Sequence, residues 1–269
     1  QMEYLQQIKY TTKFGGATGN MNAHYFTDDT KDWSTLFDKF ISGLSQHHSL
    51  KLIRNQFTTQ IDHYDNYSVL FDNLNRICVL LIDFCVDIWY YISLGYFKQK
   101  IVAGEVGSST MPHKVNPINF ENAEGNFYLA SSVFQFLSRK LPISRLQRDL
   151  TDSTITRNIG TGFGYMLLAI KSCLTGLNKL QVDKNQITSD LNKNYVVITE
   201  GIQTLLRHRG IANPYEAMKN ITRTNQDNSS NNDEIKIRIN EYLETIDISD
   251  EDKQKIKELL PTTYCGKKL

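Results

Sequence analysis

The chain has 269 residues, 40% hydrophobic and 22% charged, which is the composition of a globular protein able to bury a large core. Thirty basic against 29 acidic residues leave a formal charge of +1. That balance argues against a general nucleic-acid or membrane-surface binder, which needs a basic footprint. The five prolines stand at 112, 117, 142, 214 and 261, so the first 111 positions have none and long helices are expected there rather than a turn-rich β fold. The chain opens Gln1-Met2-Glu3 and is expected to be part of a longer gene product.

In chain order, residues 1–14 read as the end of a helix closed by Gly15-Gly16, followed by a loop through Gly19 and Asn22. Trp33, Leu36, Phe37, Phe40, Ile41 and Leu44 recur at three-and-four spacing and predict a helix over 32–50. A helix of about 30 residues is expected over 67–97, long enough (~45 Å) to pack side by side in an elongated bundle. Cys78 and Cys85 lie seven apart on its apolar face and read as core thiols. Its most apolar stretch, 77–82, is cut by Asp83 and Asp87 and falls far short of the ~20 residues of a bilayer span, so no membrane partner is expected.

A non-helical segment over 101–117 separates this helix from another at 119–137. After Pro142 a polar stretch, 145–157, leads into a helix over 158–180. The character changes near 179–182, which divides a first domain, 1–180, from a smaller helical domain, 181–269. Helices are expected there at 184–208, 214–223, 233–245 and 249–260, with a polar surface loop at 225–233. The fold class is therefore all-α. Cys173 and Cys265 complete the cysteines; no C-x-x-C and no histidine cluster occurs, so neither metal nor cofactor is expected and the location is expected to be cytoplasmic. Gly160-Thr-Gly162-Phe-Gly164 resembles a dinucleotide fingerprint, but no strand precedes it, and close helix packing explains the glycines better. His47-His48 and His113 receive no role.

The segment from Gly104 to Pro117 is where chemistry is expected. It is a glycine-flanked, hydroxyl-rich loop between two apolar helices. Ser108 and Ser109 offer hydroxyls, Lys114 a positive charge and Asn116 a carboxamide, a set suited to a carboxylate-bearing substrate. On residues alone, a binding or catalytic loop stands beside an ordinary linker with capping serines.

Residues 107–117, followed by Glu121, match G-S-S-x-M-P-x-K-x-N-P with its trailing glutamate, and so resemble the fumarase/aspartase superfamily. The flanks Gly16-Ala-Thr-Gly-Asn-Met-Asn-Ala-His24, Thr58-Thr-Gln-Ile61, Phe97-Lys-Gln-Lys100, Phe120-Glu-Asn-Ala-Glu-Gly-Asn126 and Gln147–Asn158 resemble the C-terminal portion of the adenylosuccinate lyase family, bacterial-type branch. The resemblance implies a long-helix bundle and β-elimination of fumarate, from adenylosuccinate to give AMP and from the succinyl-carboxamide imidazole nucleotide (SAICAR) to give AICAR. Another fumarate-releasing lyase, of argininosuccinate lyase or fumarase type, and an inactive structural homologue are the alternatives.

The same resemblance implies roles. Ser108 abstracts the β-proton and Ser109 binds a carboxylate, though the two could exchange. Lys114 and Asn116 stabilise the aci-carboxylate dianion, and Glu121 orients a general-acid histidine. Arg148, Ser153, Thr154 and Arg157, with Thr156, form a phosphate site near the start of a helix; the plainer reading pairs exposed arginines with Asp149 and Asp152. Gln60 and Asn122 touch the succinyl or base portion. The histidine segment of the family, Thr/Ser-x-His-Gly-Gln, does not occur in this sequence and is expected on a preceding segment. The implied assembly is a homotetramer with each site shared by three subunits.

Overall fold

A computed structural model describes residues 1–46, 51–100, 116–223 and 232–267. Two compact units emerge, Gln1–Gln181 and Val182–Leu269. The fold is all-α: among the described residues every strand is three residues long.

The first unit begins with α1 (Met2–Gln7), β1 (Tyr10–Thr12), α2 (Asn22–Thr27), α3 (Trp33–Gln46) and β2 (Leu52–Arg54). The helix expected to reach residue 14 stops at Gln7, because Tyr10–Thr12 pair in parallel with Leu52–Arg54. Tyr10, Thr11 and Thr12 suit a strand, but the partner lies some 40 residues away, beyond the reach of local periodicity. Arg54 is buried yet fully engaged: Nε donates to Asp38 at 2.7 Å, and Nη2 donates to Ser34 Oγ at 2.8 Å and Gln56 Oε1 at 2.9 Å.

Three long helices make the core: α4 (Asp65–Ser93), α5 (Ile118–Lys140) and α7 (Ile159–Lys179), with the short α6 (Thr151–Thr156) before the last. Along α4, Phe71, Leu74, Cys78, Ile82, Cys85 and Ile88 form one buried stripe; along α5 the stripe is Phe120, Ala123, Phe127, Ala130, Phe134 and Leu137. Both repeat at three-and-four spacing, so each helix turns one apolar face inward. Truncating a buried phenylalanine of this stripe to alanine costs about 3–5 kcal/mol. Helix α7 approaches through small residues. A Cβ at Gly162 would lie 2.9 Å from the Phe134 ring, and one at Gly176 would lie 2.8 Å from the Phe120 ring. Gly160 and Gly164 meet nothing within 4 Å, so close packing accounts for only one of the three glycines in that motif.

Helices α4 and α5 run antiparallel. Ser68, near the start of α4, donates to the Ser138 carbonyl near the end of α5 (2.7 Å), while Trp89 meets Glu121 at the opposite ends. Gly95, at φ 76°, turns the chain out of α4 in the left-handed conformation, so the helix expected to reach 97 ends at Ser93 and β3 (Phe97–Gln99) follows. The unit closes where β4 (Leu180–Val182) pairs with β3. The three helices also carry a second apolar face that the described residues leave open, including Val79, Leu80, Tyr128, Leu129, Leu167 and Leu168, each about half exposed. A helix that is apolar on two sides is built for burial on both.

In the second unit the helix expected over 184–208 is broken. It becomes α8 (Lys184–Lys193), a 3₁₀ turn (Tyr195–Ile198) and α9 (Thr199–His208). Asn194 donates its carboxamide to the Asp190 carbonyl at 2.8 Å, competing with the helical ladder at the break. Helices α10 (Pro214–Thr222), α11 (Asn232–Glu244) and α12 (Asp250–Lys257) follow. Most of the polar loop expected at 225–233 lies outside the described residues. Ile198, Ile202, Leu206, Ile239, Leu243 and Ile256 are in the core of this unit. Arg209 grips Asp252 with two hydrogen bonds, 2.7 and 3.0 Å, and Ser249 caps α12 by accepting from the Asp252 amide. The ring of Tyr264 lies against Gly201, and its hydroxyl donates to Glu200.

Candidate active site

The candidates of the signature loop divide at the edge of the described structure. Ser108, Ser109 and Lys114 lie outside the described residues, as do His113 and the His47-His48 pair. Asn116 and Pro117 are described and lead into α5.

Glu121 sits in the first turn of α5, where a carboxylate is favoured by the unpaired amides and the helix dipole. It is exposed, and Oε1 accepts a hydrogen bond from the Trp89 indole at 3.1 Å. Trp89 had no signal in the sequence beyond its place in the apolar repeat of α4. Asn122 is exposed one residue further on; its carbonyl and side-chain oxygens accept from Asn126 at 2.9 and 3.2 Å.

A second group gathers at the other end of α5. Lys140, its last residue, donates to the Ile143 carbonyl (3.0 Å) and to Thr151 Oγ1 (3.1 Å), which holds the start of α6 there. The Gln60 amide donates to the Gln147 carbonyl at 3.2 Å, so Gln60 and Arg148 lie on adjoining backbone. Asp62 anchors the Gln60 loop from below, accepting from Thr11 Oγ1 (2.9 Å) and from the Tyr64 amide (3.3 Å). Above it, Gly19 presses against Thr58; a Cβ there would stand 2.6 Å from the Thr58 carbonyl carbon. Among the described residues, four other than glycine have positive φ, and three of them flank this place: Met21 (62°), Tyr64 (60°) and Leu146 (49°). Leu146 is almost wholly exposed, so no burial compensates its strain. Strain of this kind concentrates at functional sites.

Arg148 Nη2 donates to Asp152 Oδ2 at 3.4 Å, and Arg145 pairs with Asp149 at 3.5 Å. Both arginine–aspartate pairings of the plainer reading are therefore present. Ser153 and Thr154 lie inside α6 rather than ahead of a helix. Ser153 Oγ donates back to the Leu150 carbonyl (2.8 Å), and the Thr154 carbonyl accepts from Asn158 (3.2 Å). Arg157 is exposed where α6 ends and α7 is about to begin. Burial and the neighbouring Asp152 carboxylate hold the Tyr64 phenol above its ordinary range.

The two groups stand at opposite ends of one helix. From Glu121 to Lys140 is about 28 Å along α5 at ~1.5 Å per residue, further than a mononucleotide reaches. Among the described residues no cluster of three or more histidine, cysteine or acidic side chains could hold a metal ion, and no helix is long and apolar enough to cross a membrane.

Residues 144–265 match the family model described as adenylosuccinate lyase C-terminal, and residues 1–130 match the lyase model. Adenylosuccinate lyase of Dictyostelium discoideum is 49% identical over 267 residues, 99% of this chain, and that of Escherichia coli K12 is 42% identical over the same length. The chain belongs to the adenylosuccinate lyase family. It spans 56% of the length of each of these two relatives. The 3-carboxy-cis,cis-muconate lactonizing enzyme of Pseudomonas putida superimposes with a TM-score of 0.67 over 98% of this chain and 56% of its own, at 17% identity. That likeness shows that this member of the family has the helical-bundle fold of a structure with little sequence in common.

Proposed function

We propose that this chain is the C-terminal portion of an adenylosuccinate lyase that eliminates fumarate from adenylosuccinate and from SAICAR, leaving AMP and AICAR in purine nucleotide biosynthesis. The observation that carries this reading is the main-chain bond from Gln60 to Gln147. It sets a carboxamide suited to the succinyl or base portion beside a guanidinium suited to phosphate. Ser153, Thr154 and Arg157 add hydroxyls and a second guanidinium on the same short segment.

In the proposed reaction Ser108, as the alkoxide, takes the proton from the succinyl β-carbon, and Ser109 holds a carboxylate. Charge then accumulates on the adjacent carboxylate, where Lys114 and Asn116 bind it more tightly than in the ground state. The electron pair becomes the fumarate double bond as the carbon–nitrogen bond breaks, and the departing nitrogen takes a proton from a histidine. Glu121 orients that imidazole, which a preceding segment of the same protein supplies. No cofactor takes part.

The ~28 Å between the ends of α5 supports a site assembled from several copies, since Gln60 and Arg148 of one copy cannot share a mononucleotide with Asn116, Glu121 and Asn122 of the same copy. The open apolar faces of α4, α5 and α7 supply surface for that assembly, here read as a cytoplasmic homotetramer. The test follows adenylosuccinate loss by ultraviolet absorbance with the complete gene product and its Ser108→Ala variant. Loss of turnover with retained helicity is expected; a near-wild-type rate in Ser108→Ala would overturn the assignment of the base.

A further inference from the structure

The two i,i+4 pairs beside α6 share a spacing but not an environment. The Arg145 side chain is 77% exposed, and an ion pair of that kind contributes little. Asp152, by contrast, is only 7% exposed. One carboxylate oxygen meets Arg148 at a single long contact, and the other, Oδ1, is buried with no hydrogen-bond partner among the described residues. A half-satisfied buried carboxylate is costly and calls for a reason.

Arg148 supplies one. Its guanidinium has five N–H donors in a rigid fork, and only one of them faces Asp152. Among the described residues the remaining donors of this partly exposed side chain have no partner, which leaves them to meet an anion. Without the carboxylate, the long side chain would lose the contact that selects its rotamer and would have to give up that freedom on binding. Asp152 is itself held by the first turn of α6 and lies near Tyr64, the residue just before α4 and after the Gln60 loop.

We infer that Asp152 is a positioning residue that aims Arg148 at the 5′-phosphate of the nucleotide, and so sets the preference for nucleotide over nucleoside. The inference rests on the phosphate role proposed above for Arg148. Asp152 does not itself touch the ligand; a carboxylate beside a phosphate is tolerated because Arg148 stands between them.

The test compares the complete enzyme with Asp152→Asn, Asp152→Glu and Arg148→Ala. Substrates are adenylosuccinate and its dephosphorylated nucleoside. Asp152→Asn is expected to raise KM for the nucleotide about ten-fold or more, the loss of one charge-assisted contact, with kcat and the nucleoside kcat/KM within about two-fold of wild type. Asp152→Glu keeps the charge with a longer reach and is expected to fall between Asn and wild type. It also preserves the test should the Asn variant fold poorly. Equal loss on both substrates, or no change on either in Asp152→Asn and Asp152→Glu, overturns the positioning role. If Arg148→Ala itself leaves the nucleotide-to-nucleoside ratio unchanged, the phosphate assignment fails instead.

Discussion

Replacing Gly19 with alanine tests how the Gln60 loop is seated. Gly19 has φ +84°, in the left-handed region, where a Cβ costs about 1–2 kcal/mol. The new Cβ would stand 2.6 Å from the Thr58 carbonyl carbon and nearer still to both Thr58 oxygens. Ordinary carbon contact begins near ~3.5 Å, so Thr58 must recede by about 1 Å. The obstacle includes backbone, which cannot swing aside like a flexible side chain, and such overpacking adds about 1–3 kcal/mol. The sum, about 2–5 kcal/mol, lowers Tm by roughly 4–20 °C in a domain of this size. Because Thr58 lies two residues before Gln60, the same shift displaces a proposed substrate contact, and a misplacement of about 1 Å can cost up to ~100-fold in rate. Gly43, in the last turn of α3 with open space around its missing Cβ, is the control; Gly43→Ala gains up to about 1 kcal/mol of helix propensity and raises Tm. Differential scanning calorimetry and steady-state kinetics on the complete enzyme read both effects. A Gly19→Ala protein that melts within about 2 °C of wild type with unchanged kcat/KM would refute the seating of this loop on Thr58.

Burial pushes the Cys78 thiol up to about 11 and Cys85 to about 12, and raises Cys173 as well, while Cys265 is exposed. A chromogenic disulfide reagent at pH 8 should therefore consume one thiol of this chain quickly and all four only after denaturation; two fast thiols in the native protein would contradict the packing of α5 against α4 and α7. Arg209 beside Asp252 holds that carboxyl below the ordinary range. A depressed folded-state value stabilises fully above the unfolded value, near ~3.9, and the contribution is lost as pH falls through the folded value. Asp252→Asn should flatten that acid limb in melts of the second unit and lower its stability at neutral pH; identical acid limbs for the two proteins would rule the linkage out. The separation of the two residue groups along α5 predicts subunit complementation. Mixed Glu121→Ala and Arg148→Ala enzymes, each impaired alone on adenylosuccinate, should regain activity when dissociated and reassembled together, and no gain in verified mixed oligomers would exclude a shared site.

The long helices were legible because their signal is local. Phe120, Ala123, Phe127, Ala130, Phe134 and Leu137 declare their face by spacing alone, as do Phe71 to Ile88. Proline placement worked for a related reason: a residue without an amide donor breaks a ladder wherever it falls inside one. The pairing of Tyr10–Thr12 with Leu52–Arg54 was not legible, since it depends on a partner about 40 residues distant, nor was the break at Asn194, where one carboxamide outcompetes a helical amide. Trp89 looked like another apolar residue of α4 until its indole was found on Glu121. Asp152 was visible only as a pairing partner four residues from Arg148, because spacing states that two charges can meet but not that one is buried.

The balanced charge, the prolines and the signature segment by themselves determined the helical class and the family. Those are properties of residue types at fixed intervals, which no folding alters. Tertiary structure alone decided which residues share a place. It joined Gln60 to the Arg148 segment through a main-chain hydrogen bond and put Asn122 and Glu121 a helix-length away. The physical reason is the rigidity of α5: a 23-residue helix keeps its ends apart, so Glu121 and Asn122 at its start stay far from the Arg148 segment that follows its end.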